Sequence, residues 1–331
     1  MSLRILKAGI LDTIQDMGRF GYQHIGINPT GVMDKYAAGI ANMLVGNKPG
    51  DAVIEMHFPA SVFLFDQAAV IALAGADFNA SVNGEFIPVN QPVIINKSSV
   101  LQFHYIKNKA RCYMAVKGGF NISKWLNSYS TNLKAESGGM AGRKFLKDDT
   151  IELNEKNEFC NLLGENDFRI LSWKANETWN EITNEEIFIL PGNEWDWLDP
   201  GSKENFLSAS FTITANSDRM GYRLNGEPLG SVKNEELVSS PVCFGTIQLL
   251  PDGQLIILMA DSQTTGGYPR IGTILSTHLS RVAQMKPGDK IKFSFADQPT
   301  AETLIIKQQQ HLLQLQNACT FRLENFILEN N

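Results

Sequence analysis

The chain has 331 residues, of which 43% are hydrophobic and 19% charged, and its formal net charge is −6. That is globular composition with room for a large core and two domains, and its scattered basic residues leave no footprint for nucleic acid. The opening stretch "MSLRILKAGILDTIQD" lacks a signal-peptide pattern and the apolar runs are too short to span a bilayer, so a cytoplasmic chain without a membrane partner is expected.

The first unusual segment is "TIQDMGRFGYQHIGINPTGVMD", residues 13–34. It places Asp16, Arg19, Tyr22, His24, Asn28, Thr30 and Asp34 among glycines that permit positive φ or close backbone approach. Arg19 and His24 are candidate site residues, whereas Asp34 reads as a helix cap. The stretch "MDKYAAGIANMLVGN" that follows has the apolar spacing of a helix, with Asp34 at its start and Gly46 at its end.

Short strand-like runs then crowd residues 62–119, and Asn83-Gly84 between alternating segments signals a tight hairpin. Gly138, Gly139 and Gly142 lie ahead of Arg143 in "AESGGMAGRKFLKDD" and read as a tight loop before a strand. Residues 161–186 are polar and lose periodicity, which makes them the linker candidate. The expected division is residues 1–175 and 176–331, each with one barrel, the second also carrying a C-terminal helix over residues 301–316.

The second half repeats the style, with Asp252-Gly253 as another hairpin turn. Many short strands with regular turn signals argue for barrels and against a doubly wound sheet. A helix is expected in "STHLSRVAQMKPGD", capped by Ser276 or Thr277 and stopped at Pro287 and Gly288.

Two segments of this half carry chemistry. In "SDRMGYRLNG", Arg219 offers a planar donor fork for a carboxylate or phosphate, and Tyr222 follows close by. In "DSQTTGGYPRIGTI", Asp261 ends an apolar strand and can move a proton or orient a donor. Thr264 and Thr265 supply hydroxyls, Gly266 and Gly267 permit a bend beneath a ligand, Tyr268 supplies a ring and Arg270 a cation. The four cysteines are far apart and show no metal-ligand spacing, so no metal site is expected.

The segments "GILDTIQDMGRFGYQHIGINPTGVMD", "IALAGADF", "STNLKAESGGMAGRKFLKDD", "ILPGNEWDW", "SDRMGYRLNG" and "DSQTTGGYPRIGTI" together carry a resemblance. The chain resembles the allophanate hydrolase subunit 2-like family, which includes the 5-oxoprolinase C-subunit, the KipI antagonist and the carboxyltransferase region of urea carboxylase. The resemblance implies a mainly β fold of two cyclophilin-like barrels with a few helices. It implies one component of a lactam hydrolase, inactive alone. That component works with a KipI-like B-subunit and an A-subunit to open 5-oxoproline to glutamate using ATP with Mg²⁺. It also implies two alternatives: a biotin-dependent carboxyltransferase, and a non-catalytic antagonist that binds KipI. On the first reading Asp261 and His24 are catalytic. Arg219, Tyr222, Thr264, Thr265, Gly266, Gly267, Tyr268, Arg270 and Arg19 bind the substrate or its phosphate.

Overall fold

The structure, a computed structural model, describes residues 2–154, 163–176, 186–233, 235 and 237–330. The chain divides into two compact units. The first is Met1–Gly18, Asp34–Trp179 and Gln309–Asn331, and the second is Arg19–Met33 and Asn180–Gln308. The Gly-rich segment 19–33 therefore packs with the second unit, and the end of the C-terminal helix packs with the first. Both assignments differ from the division expected at residue 175, because each segment finds its apolar or hydrogen-bonding partners far away in sequence.

The first unit contains β1 (Ser2–Lys7), β2 (Thr13–Gln15), α1 (Lys35–Leu44), β3 (Val53–His57), β4 (Val62–Phe65), β5 (Ala69–Gly75), β6 (Ala80–Val82), β7 (Glu85–Phe86), β8 (Pro92–Ile95), β9 (Val100–Phe103), β10 (Arg111–Val116), β11 (Thr150–Glu152) and β12 (Phe168–Ile170). They form two six-stranded sheets in the orders β11-β1-β4-β9-β6-β7 and β12-β8-β5-β10-β3-β2. Strand β5 shows why this sheet is buried on both faces. Ile71 and Leu73 point into the core with Phe63, Phe65, Phe78 and Met114. The alternate residues Val70, Ala72 and Ala74 are equally buried but small, and small residues there let α1 lie close.

Helix α1 itself is rich in alanine and buried from Tyr36 to Leu44. Asp34 caps it, accepting from Tyr36 N at 3.1 Å and Ala37 N at 2.9 Å. The Asn83-Gly84 turn joins β6 to β7 as expected. The expected linker is in part structured: β12 pairs with β8, and Leu171 and Trp173 are buried. Residues 177–185 lie outside the described residues.

The second unit contains β13 (Ile187–Pro191), α2 (Pro200–Ser208), β14 (Phe211–Ile213), β15 (Gly221–Asn225), β16 (Ser240–Pro241), β17 (Thr246–Leu249), β18 (Leu255–Leu258), β19 (Thr265–Gly266), β20 (Arg270–Ile274), α3 (Leu279–Ala283), β21 (Lys290–Ile291), β22 (Phe293–Phe295) and the first part of α4 (Gln298–Asn330). Eight strands form one sheet in the order β21-β14-β15-β18-β17-β20-β13-β22, with β16 and β19 as a separate pair. The Asp252-Gly253 turn joins β17 to β18. Phe206 of α2 and Phe293 of β22 stack with ring centres 5.0 Å apart, and Phe211, Ile247 and Ile257 complete that core. The expected mainly β, two-barrel architecture with few helices is the observed one.

Helix α3 starts later than expected. His278, not Ser276 or Thr277, precedes its first turn, and no side chain caps it. His278 instead serves the core: its ring stacks on Phe188 at 4.9 Å and its Nδ1 accepts from Phe188 N at 3.0 Å. Burial, with help from Arg281, lowers its pKa to about 4. A depressed histidine pKa means the unfolded chain takes up a proton that the folded chain refuses. Its contribution to stability is thus whole above pH 6.5 and lost as pH falls towards 4. The His278 ring resonances should show no titration above about pH 5 in an NMR series; a midpoint near the ordinary histidine value of about 6.5 would contradict this burial.

Candidate functional site

Of the expected site residues, all lie in the second unit, but they fall into three groups. The first is a clamp. Asp261 follows β18, and Arg219 precedes β15, the strand beside it. Arg219 Nε donates to Asp261 Oδ2 at 2.8 Å, and Nη2 donates to Asp261 Oδ1 at 2.9 Å. The same Nη2 donates to the Gly31 carbonyl at 2.6 Å, and Asn28 Nδ2 donates to the Asp261 carbonyl at 2.8 Å. Arg219 is 4% exposed and the Asp261 side chain 13%. Both carboxylate oxygens are thus engaged, and the pair ties the Gly-rich segment to its sheet.

Arg19 belongs to the same architecture. It is buried, donates from Nη1 to Thr30 Oγ1 at 2.6 Å, and its backbone N donates to the Pro29 carbonyl at 2.7 Å. His24 sits exposed on the short 3₁₀ turn Gln23–Ile25 between these ties. Tyr222 is a core residue packed with Phe211 and Ile247, not a rim residue. In the first unit, Asp16 is likewise structural: its carboxylate accepts from Ser128 Oγ, Ser130 Oγ and Tyr129 N at 2.6, 2.6 and 2.7 Å. Arg143 is paired to Asp149 through two bonds of 2.7 and 2.9 Å, which fits a tight loop.

The second group lines a cavity of about 1000 Å³. Thr265 and Gly266 form β19, held by β16, and Gly267 and Tyr268 continue the wall. Thr264 backs this segment, its carbonyl accepting from Val242 N at 3.1 Å. Trp197, Lys233 and Ser239 line the same cavity. The Lys233 ammonium stands 5.0 Å from the Trp197 ring centre, a cation–π contact that holds a positive charge at the cavity. Tyr268 is 44% exposed, so its phenol is presented rather than packed.

The third group centres on Arg270. Its guanidinium donates to Glu194 from Nε at 2.9 Å and Nη2 at 2.7 Å, and its backbone N adds a third bond at 2.9 Å. Hydrogen bonding to Arg270 holds the Glu194 carboxyl below its ordinary pKa and raises that of the guanidinium. Arg270 borders a separate cavity of about 290 Å³ with Cys243, Thr246 and Thr273. Gly192 permits the arrangement: a Cβ there would collide with the Arg270 carbonyl and come within 2.8 Å of Gly272 N. Because backbone must move, Gly192→Ala should destabilise by about 3 kcal/mol, the upper end for overpacking; a thermal melt unchanged within error would contradict this packing.

The structure therefore gathers Thr265, Gly266, Gly267 and Tyr268 at one cavity and sets Arg219, Asp261, Arg270, Tyr222 and Arg19 elsewhere. Sequence reasoning did not single out Lys233, Trp197 or Glu194. Of these only Trp197 and Glu194 stood in a quoted motif, "ILPGNEWDW". Among the described residues no group of three or more His, Cys, Asp or Glu could hold a metal ion, and no helix is long and apolar enough to cross a membrane.

Comparison with known proteins places this geometry in context. The family model "Carboxyltransferase domain, subdomain A and B" matches residues 25–295. The chain is 31% identical over 323 residues to the 5-oxoprolinase C-subunit of Escherichia coli, covering 98% of this chain and 99% of that protein. It is 31% identical over 303 residues to the Haemophilus influenzae protein of the same name, with 92% and 94% covered. It is also 30% identical to urea amidolyase of Saccharomyces cerevisiae across 88% of this chain but only 16% of that enzyme. Among solved structures, the K. lactis urea amidolyase superimposes with a TM-score of 0.85 at 25% identity, covering 95% of this chain and 20% of that one. The chain belongs to the carboxyltransferase domain, subdomain A and B, family, in the company of the 5-oxoprolinase C-subunits.

Proposed function

We propose that the protein is the C-subunit of an ATP-dependent 5-oxoprolinase, acting with a KipI-like B-subunit and an A-subunit in the cytoplasm, and that substrate meets it at the cavity walled by Thr265–Tyr268. The near end-to-end match to 5-oxoprolinase C-subunits carries the reading, since almost none of either chain is left over.

The chemistry explains why hydroxyls and a cation belong at such a site. A five-membered lactam is a resonance-stabilised amide and a poor electrophile. Phosphorylation of its oxygen makes the ring carbon open to water, which is what ATP, accompanied by Mg²⁺, supplies to the complex. The substrate then presents a carboxylate and developing negative charge on oxygen. The Thr265 and Tyr268 hydroxyls can donate to those oxygens, and Lys233 offsets the charge. Gly266 and Gly267 continue the wall between Thr265 and Tyr268. Arg219 and Asp261 act one step removed, by tying the Gly-rich segment to their sheet. Neither transfers a proton in this scheme, because the ion pair engages both carboxylate oxygens.

A biotin-dependent carboxyl transfer is the second reading, favoured by the likeness to urea amidolyase. It requires a biotin-bearing partner. Reconstitution decides between them: the chain mixed with its A- and B-type partners should release glutamate from 5-oxoproline only when ATP is present, and the chain alone should release none. Activity requiring a biotinylated protein, or none with 5-oxoproline, would overturn the proposal. A stable complex with the B-type partner that never shows catalysis would favour the antagonist reading.

A further inference from the structure

Strand β17 alternates in the usual way: Ile247 and Leu249 point into the core, and Gln248 points to the other face. Yet Gln248 is not at the surface. It is 1% exposed. Its Nε2 donates to the Tyr268 carbonyl at 3.3 Å, which fixes which end of the amide faces which way, since the reverse would set oxygen against oxygen. Its Oε1 is buried and has no hydrogen-bond partner among the described residues. A buried carbonyl left without a donor forfeits its hydration with nothing in return. It is retained here beside a cavity of about 500 Å³ that Gln248 lines together with Asn216, Asp218, Arg223, Gln263 and Tyr268.

Two further features show that the site is built. Gly266 leaves the space that the carboxamide fills, because a Cβ there would stand 2.6 Å from Gln248 Nε2. Tyr268 and Gln263 line this cavity and the larger one beside Thr265 alike. The two cavities thus share a wall that includes these two side chains.

We propose that the cavity beside Gln248 is the subsite for the lactam ring, and that Gln248 Oε1 accepts the ring N–H. The proposal rests on the 5-oxoprolinase reading for the identity of the ligand, but its chemistry is independent of partners: a neutral cyclic amide N–H is the donor that an orphaned carboxamide oxygen lacks. A shift of the exposed Tyr268 side chain opens the way from the larger cavity to Oε1, and the ring carbonyl and carboxylate then face the Thr265 side. Arg223 lines this pocket beside Asp218 and Asp252, a net negative lining that turns the carboxylate towards the Thr265 side. Gln248 is in this scheme a specificity-determining residue that selects N–H over any isostere.

The test is calorimetric binding of 5-oxoproline and of its N-methyl analogue to the purified full chain, before any partner is added. The wild-type chain should bind 5-oxoproline at least ~10-fold more tightly than the N-methyl compound, the discrimination expected of one buried hydrogen bond. Gln248→Met, which removes the orphan without changing the volume much, should melt at or above the wild-type temperature and bind both compounds equally. Gly266→Ala should fold, because only a flexible side-chain end must give way, but lose the discrimination. Equal binding of the two compounds by the wild type, binding of neither, or full discrimination by the methionine variant would each overturn the assignment. These results are separate from the reconstituted assay: glutamate release could succeed while Gln248 proves indifferent, and lactam selectivity could appear in a chain whose complex does other chemistry.

Discussion

Replacing Arg219 with alanine should destabilise the protein by about 3–5 kcal/mol, the range for stranding one partner of a buried ion pair. The physical cause is specific. Asp261 would keep a largely buried carboxylate with neither of the two donor contacts it now has at 2.8 and 2.9 Å. The Gly31 carbonyl would lose its 2.6 Å donor at the same time. Asp261→Asn should be milder, because the amide oxygen still accepts from Arg219 while its NH₂ meets a donor. The double change Arg219→Met with Asp261→Leu should recover part of the loss, since apolar pairs of similar volume replace such bridges at little cost. Chemical denaturation measures all three, and limited proteolysis should cut the Arg219→Ala protein within residues 19–33, which the clamp holds. An Arg219→Ala protein with wild-type stability and a protected segment would show that the pair is not the tie proposed here.

The second large effect concerns activity and not stability. Tyr268→Ala should lower kcat/KM of the reconstituted 5-oxoprolinase by about 100-fold, close to the cost of one positioned donor at a developing oxyanion. Thr265→Val should cost about 10-fold, in line with losing one hydrogen bond worth about 1.4 kcal/mol. Both side chains are exposed at the cavity wall, so melting temperatures should move by no more than a degree or two, as for surface substitutions. Together with the Arg219 series this separates two kinds of loss. Arg219→Ala should lose activity in proportion to folded protein, whereas Tyr268→Ala should lose it in protein that is fully folded.

The contrast shows what the sequence makes legible. Strands and hairpins are local properties. Alternation around Asn83-Gly84 and Asp252-Gly253 reports pairing between neighbours, and Asp34 announces the helix that it caps. Helix α2 is not legible in the sequence because Pro200–Ser208 carries only two buried residues, Ser202 and Phe206, and thus no apolar stripe. The C-terminal helix runs past its expected end, because buried Cys319 and Leu323 and the Phe326 ring against Trp173 keep anchoring it in the first unit.

Site geometry is less local. Thr265, Gly266, Gly267 and Tyr268 do line one cavity, whereas Thr264 stands behind them. From sequence, Arg219 offers a planar donor fork and Arg270 a cation, and both look available to a ligand. Their partners are distant in sequence, Asp261 for Arg219 and Glu194 for Arg270, 42 and 76 residues away. Nothing in a single sequence shows that both guanidinium groups are already occupied. Gln248 illustrates the converse. In the pattern of β17 it looks like any outward polar residue, and only the covering segment at Gly266 and Tyr268 turns it into a buried, unanswered acceptor.

Hydrogen exchange of the chain mixed with its proposed A- and B-type partners, with and without 5-oxoproline and ATP, tests the placement of the site most directly. Amides of residues 264–268 should become at least ~10-fold slower to exchange when substrate is present, in keeping with the ordering of a bound segment, while those of 19–33, already tied by Arg219, change little. Slowing confined to other segments, with 264–268 exchanging at its free rate during turnover, would contradict a substrate cavity at Tyr268.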